Sequence, residues 1–209
     1  MICRNVNDSV TSYLTTVVGL YKRGMYDFLN ENLRDLKKTK NETFVLQEEI
    51  AQRRGEYYQL AIDGSEDKVD RDARYYYYRV FTNMKEIGHG LRSVTGTAYN
   101  HVNNNHTVYK GVLRENLEKI IADLENLVEF LENYTRIGDN GDVALNQRSD
   151  QSIQLLNQCQ HELLSRIDDD NLSLRGCELY LSFLQFSRQL VNYSTLVTLL
   201  RLELNERCN

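Results

Sequence analysis

Apolar residues recur along this chain at steps of three and four, the spacing that gathers side chains on one face of an α-helix. The most regular run is Leu113, Leu117, Ile120, Leu124, Leu127, Leu131 and Tyr134, a strict alternation of the two steps. A second run holds Tyr77, Val80, Met84, Ile87, Leu91, Val94 and Ala98. A third holds Phe183, Phe186, Leu190, Tyr193, Val197, Leu200 and Leu204. Polar punctuation between the runs predicts six helices. The first is expected over about residues 7–38, with Val10, Leu14, Val17, Tyr21 and Phe28 facing inward, and the second over 41–63, opened by Asn41 as N-cap. After a turn at "DGSEDK" a long third helix spans 67–101 and stops at "NNNHT". The fourth covers 110–135 and ends at "GDNGD", the fifth covers 145–168, and "DDDN" caps a sixth that runs from 172 to the end.

The second and third runs superpose at a constant offset of 106 residues, and each half of the chain reads helix, helix, long helix. An all-α fold follows: one domain of six helices, arranged as two repeated antiparallel three-helix bundles over residues 1–106 and 107–209. The sixth helix is apolar beyond a single stripe, since Leu181, Leu184, Val191, Leu196 and Leu199 lie off it. Such a helix belongs at the centre, so the core is expected around the third and sixth helices.

Composition supports this picture. The 209 residues include no proline and no tryptophan, so few helix breaks are enforced, and the length suffices for a sizeable core. A net charge of −5 argues against nucleic acid as a partner. The imbalance is local: residues 113–170 carry thirteen acidic and five basic side chains, read as a solvated acidic face. The four cysteines, Cys3, Cys159, Cys177 and Cys208, form no C-x-x-C pair, and Cys159 and Cys177 are read as buried, reduced thiols. "MICRNVNDSV" lacks a signal-peptide pattern, and no run of about twenty apolar residues occurs, so a soluble chain is expected.

Candidate chemistry gathers in "NMKEIGHGLRSVTGTAYNHVNNNH", residues 83–106, which holds three of the four histidines. As metal ligands they fail on spacing. His89 and His101 are twelve residues apart, about 120° around a helix of 3.6 residues per turn, and His106 lies past the asparagine break. Glu86 and His89, at i and i+3, share a face and can hydrogen-bond, with Gly88 and Gly90 on either side of the histidine. Two glycines inside a helix cost about 1 kcal/mol each relative to alanine, which a close helix approach or a binding surface would justify. "TRIGDNGD" lacks the ligand pattern of a calcium loop and reads as a helix end and turn. In "RYYYYR", Arg74–Arg79, Tyr77 belongs to the core stripe and the other tyrosines to a bundle or partner surface. No nucleophile–base pair, phosphate loop or carboxylate dyad is visible, so no catalytic residue is assigned.

The third helix, "YYYYRVFTNMKEIGHGLRSVTGTAYNHVNNNHTVYKG", resembles that of PhoU-like domains, in particular those at the C-terminus of Pit-type inorganic phosphate transporters of Bacteroidetes. Glu86, Ile87, His89 and Leu91, then Tyr99, His101, Asn104 and His106, stand where that group's pattern has E-I-x-H-S-L and Y-x-H-x-x-N-x-H. The opening "CRNVNDSVTSYLTTVVGLYKRG" and closing "LYLSFLQFSRQLVNYSTLVTLLRL" are similar to that group's first and last helices.

The resemblance implies a non-enzymatic cytoplasmic module at the cytosolic face of the inner membrane, acting on a membrane phosphate transporter in cis or in trans. Classical PhoU proteins bind metal ions through acidic motifs on the third helix of each repeat. By register this chain has His89 and Thr195 there, so no metal ligand set and no cofactor carries over, and the literal "RIGD" at Arg136–Asp139 falls outside that register. Glu86, His89 and Arg92 are the candidate contact or sensing face. Other classes considered are a metal- or anion-binding bundle using carboxylates from several helices, and a scaffold packing on a membrane protein or on a second copy of itself through the tyrosine-rich helix.

Overall fold

The computed structural model describes the backbone of residues 2–62, 68–134, 141–166 and 173–208, and the side chains of 10–53, 75–134, 143–166 and 173–203. Six helices account for them: α1 Ile2–Leu29, α2 Leu33–Ile62, α3 Lys68–Asn103, α4 Val112–Asn133, α5 Gly141–Leu164 and α6 Leu174–Cys208. The apolar stripes behave as their spacing requires. All seven members of the α4 stripe are buried, as are Val80 through Ala98 on α3 and Phe183, Phe186, Leu190, Val197 and Leu200 on α6.

Side-chain contacts give the direction of packing. Thr39 meets Asp27 and Glu42 meets Arg23, so α1 and α2 run antiparallel. Lys40 over Tyr99, Thr43 against Thr95 and Gln47 with Arg92 set α2 antiparallel to α3. Asn116 with Glu162 and Asp123 with Arg148 repeat the arrangement for α4 and α5, and Arg188 reaches Asn157 and Gln160 to join α5 to α6. The two three-helix bundles then meet along α3 and α6, with α1 packed against α4 and α6 of the second bundle. Aromatic rings fill this seam: Phe28 lies 5.3 Å from Phe183, Tyr21 lies 4.9 Å from Phe186 and Tyr109 lies 5.2 Å from Tyr180, centroid to centroid. The core is thus built around α3 and α6 as expected, but α1 shares that centre.

The first boundary departs from expectation. The predicted helix over 7–38 ends at Leu29, and Asn41, predicted as an N-cap, lies inside α2. The break is a Schellman motif: Asn32 N–H donates to the Asp27 carbonyl at 2.8 Å and Glu31 N–H to the Phe28 carbonyl at 3.0 Å, with Glu31 left-handed at φ 55°. Asn32 then caps α2, its side-chain oxygen facing the Asp35 N–H. The left-handed position of this turn holds a glutamate rather than glycine or asparagine, and the apolar pattern runs on through Leu33 and Leu36.

The "NNNHT" break has the same geometry with an asparagine, a residue that tolerates the left-handed position. Asn105 is left-handed at φ 57°, and His106 N–H reaches the His101 carbonyl at 3.1 Å. The fifth helix opens at Gly141 rather than near 145. Residues 63–67, 135–140 and 167–172, which hold most of "DGSEDK", all of "RIGD" and the predicted "DDDN" cap, lie outside the described residues. The described cap of α6 is Ser173, whose hydroxyl accepts from Gly176 N–H at 3.1 Å.

Candidate functional site

The glycines of "EIGHGL" have a packing cause. A Cβ on Gly90 would stand 2.7 Å from the Phe186 ring, nearer than atoms approach, and a Cβ on Gly88 would stand 3.0 Å from the Tyr13 hydroxyl. Tyr13 donates to the Met84 carbonyl of α3 at 2.6 Å from within the core. The inward side of this turn is therefore where α1 and α6 press closest on α3, and its outward side carries the polar residues.

Glu86 and His89 are both exposed there, but the expected bond between them does not form. The histidine turns instead toward α2. Its Nδ1 lies 2.8 Å from the Gln47 Nε2, while the same amide's Oε1 lies 2.9 Å from Arg92 Nη1. A guanidinium only donates, so Gln47 must accept with its oxygen and offer its NH₂ to His89. The Nδ1 facing it accepts from that NH₂, whose nitrogen also lies 3.4 Å from Nε2. The Arg92 guanidinium also covers the Phe44 ring, 4.5 Å from its centroid. Gln47 and Phe44 thus hold His89 and Arg92, whereas Glu86 stands apart one turn away.

These residues border an open cleft of about 500 Å³ between α2 and α3, lined by Lys40, Asn41, Phe44, His89, Arg92, Ser93, Gly96, Thr97 and Asn100. Lys40 lies over the Tyr99 ring, 4.5 Å from its centroid. The α2 wall escaped the sequence reading because residues 39–40 were expected to separate two helices. Once α2 starts at Leu33, the spacing of Lys40, Phe44 and Gln47 puts them on one face toward α3.

The other two histidines take different positions. His101 is buried and donates from Nε2 to the Thr107 carbonyl at 2.9 Å, holding the loop after α3, and its ring lies 5.0 Å from that of His106. His106 in turn accepts from Arg175 of α6 at 3.1 Å. Neither comes to His89. At the register positions where the acidic motifs would stand, His89 is occupied by Gln47, and buried Thr195 donates to its own helix at the Val191 carbonyl, 2.8 Å away. This donor set does not fit a carboxylate-bound metal cluster, and among the described residues no three histidine, cysteine, aspartate or glutamate side chains converge. Cys159 is buried, and that burial pushes its thiol up to about 11, so it is no ready nucleophile. Tyr75 and Tyr78 are exposed, as the surface reading of "RYYYYR" expected. Among the described residues, no helix is long and apolar enough to cross a membrane.

The architecture is the PhoU-like fold. Three solved structures superpose on it over nearly its full length. The phosphate transport system regulatory protein PhoU from Streptococcus pneumoniae matches with a TM-score of 0.69 at 10% identity, covering 97% of this chain and 94% of that one. PhoU from Pseudomonas aeruginosa matches with a TM-score of 0.66 at 11% identity, over 97% and 98% of the two chains. A putative PhoU-like phosphate regulatory protein from Shewanella oneidensis matches with a TM-score of 0.65 at 11% identity, over 97% and 96%. No protein-family model matches the chain, and no curated protein matches it by sequence.

Proposed function

We propose that this chain is a non-enzymatic regulatory domain of inorganic phosphate transport, one domain of two repeats over residues 1–106 and 107–209. It acts from the cytoplasmic face of the inner membrane on a phosphate transporter, to which it is fused or which it meets as a separate chain. The observation that carries the reading is the end-to-end superposition on PhoU regulators, at a TM-score of 0.69 over 97% of the chain. The resemblance of "EIGHGL" and "YNHVNNNH" to the C-terminal domain of Pit-type transporters supports that kind of partner, and a second copy of the chain is the other candidate partner.

The contact or sensing face in this reading is Glu86, His89 and Arg92, the outward side of the α3 turn whose inward side is fixed by Gly88 and Gly90. A partner that engages His89 or Arg92 would pull on Gln47 and so on α2, and the regulatory signal would pass through that shared amide. Replacing Glu86 and His89 together by alanine leaves the core untouched, because both are exposed. The double variant is expected to fold normally and to alter phosphate uptake or its regulation in the complete transport system. A folded variant with unchanged uptake and regulation removes the role assigned to these two residues.

A further inference from the structure

We infer that the α2–α3 cleft is an anion site that takes a phosphoryl group, either free orthophosphate or a phosphomonoester. The inference deepens the regulatory reading by giving its face a ligand, and it rests on that reading only for its biological purpose. In a chain of net charge −5, none of the nine residues lining this cleft is acidic. Two of them, Lys40 and Arg92, are cationic side chains, and His89 lines the same cleft.

The cations are held in place without being neutralised. Among the described residues, Lys22, Arg23, Lys38, Arg114 and Arg148 each lie against a carboxylate. Lys40 instead rests on the face of Tyr99, and Arg92 on the face of Phe44 and the Gln47 oxygen. Ring faces and an amide orient a cation but leave its charge uncompensated. The two cations then offer two positive charges to one ligand, which matches a phosphoryl dianion better than a single carboxylate.

The cleft also supplies neutral donors suited to phosphoryl oxygens. Ser93 and Asn100 line it from α3 and Asn41 from α2, whereas the Thr97 hydroxyl donates to the Ser93 carbonyl at 3.0 Å. Gly96 sits between Arg92 and Asn100 with nothing within 4 Å of where its Cβ would be, so the floor of the cleft stays open at that point.

The test is titration of the purified chain with orthophosphate, with methyl phosphate and with sodium chloride at matched ionic strength, followed by amide chemical shifts and calorimetry. Saturable shifts confined to residues near 40–44 and 92–100, produced by either phosphate but not by chloride, are the expected result. Lys40→Ala and Arg92→Gln should each weaken binding about tenfold or more, the usual worth of one charge-assisted hydrogen bond. Lys37→Ala, an exposed lysine outside the cleft, should leave binding unchanged, and circular dichroism verifies that all three variants fold.

Tighter binding of orthophosphate identifies the free ion, and equal or tighter binding of methyl phosphate identifies an esterified ligand such as a nucleotide or headgroup. Shifts no larger than those from chloride, or equal affinity in wild type and both cleft variants, overturn the site. Phosphate uptake by the same variants separates the two proposals. Binding lost with uptake and regulation unchanged leaves the site standing and removes its regulatory purpose. Altered uptake without any phosphate binding does the reverse.

Discussion

Gly90 shows how one missing methyl group is enforced by a neighbour rather than by the helix that contains it. In an isolated helix an alanine there would be favourable by about 1 kcal/mol. In the folded chain its Cβ would enter the Phe186 ring, which is itself held against Tyr21 in the seam between the bundles. Forcing that ring aside carries an overpacking cost of about 1–3 kcal/mol, which outweighs the gain. Gly90→Ala is therefore expected to lower the urea midpoint. Gly19→Ala, with nothing within 4 Å of the new methyl, is expected to raise it by up to about 1 kcal/mol of stability. Equal shifts in the two variants would mean that helix propensity, not the α3–α6 approach, governs both positions.

The same inward turn explains why the Glu86–His89 pairing, sound on spacing, is not made. Spacing says which side chains can meet on one helix, but a partner from a second helix competes for the same imidazole. Gln47 wins because its amide is already aimed by Arg92, and a single side chain bridges both residues.

Helix ends give the clearest view of what local chemistry reveals and conceals. Among the described residues the Schellman turn occurs at Asn105 and at Glu31. Asparagine tolerates the left-handed region, so the first of these is visible in the sequence. Glutamate does not favour it, so the second is not marked at its left-handed position, and the boundary between the two helices is expected near residues 39–40 instead. The strain at Glu31 is measurable. Left-handed backbone costs a residue with a Cβ about 1 kcal/mol or more, so Glu31→Gly should stabilise the chain by roughly that amount in thermal or urea unfolding. An unchanged or lower midpoint would show that the greater backbone entropy glycine gives the unfolded chain cancels the relief of strain.

The termini are also finished by arginines from distant helices. Arg114 of α4 donates to the Leu29 carbonyl at 3.0 Å, at the end of α1. Arg201 of α6 reaches the Leu131 carbonyl at 3.3 Å, at the end of α4. Both place a cation at the negative end of a helix.

Arg201 carries that logic to the molecule as a whole. It is buried, and burial lowers the tendency of its guanidinium to stay charged. Its partners are Thr11 of α1 and the carbonyls that close α4, so one side chain ties helices of both bundles. Arg201→Ala would strip those carbonyls of their donor and is expected to cost about 2–3 kcal/mol. The transition by circular dichroism should remain single, because the aromatic seam of Phe28, Tyr109, Phe183 and Phe186 is continuous across the bundles. A change below about 0.5 kcal/mol would show that water replaces the arginine there without penalty.

The number of helices, their order and the inward stripes were legible in the residues, because burial of one face dictates a period of three and four and no proline interrupts it. Those relations are local, and they are printed along the chain whatever its neighbours. The break at Glu31, the need for Gly90, the central place of α1, the Gln47 bridge and the Lys40–Arg92 cleft were not legible. Apart from the break at Glu31, whose hydrogen bonds are local, each depends on which helix lies beside which, and on atoms that approach within a few ångströms from positions 40 to 190 residues away in sequence. Spacing fixes which residues share a face; only packing decides what that face meets.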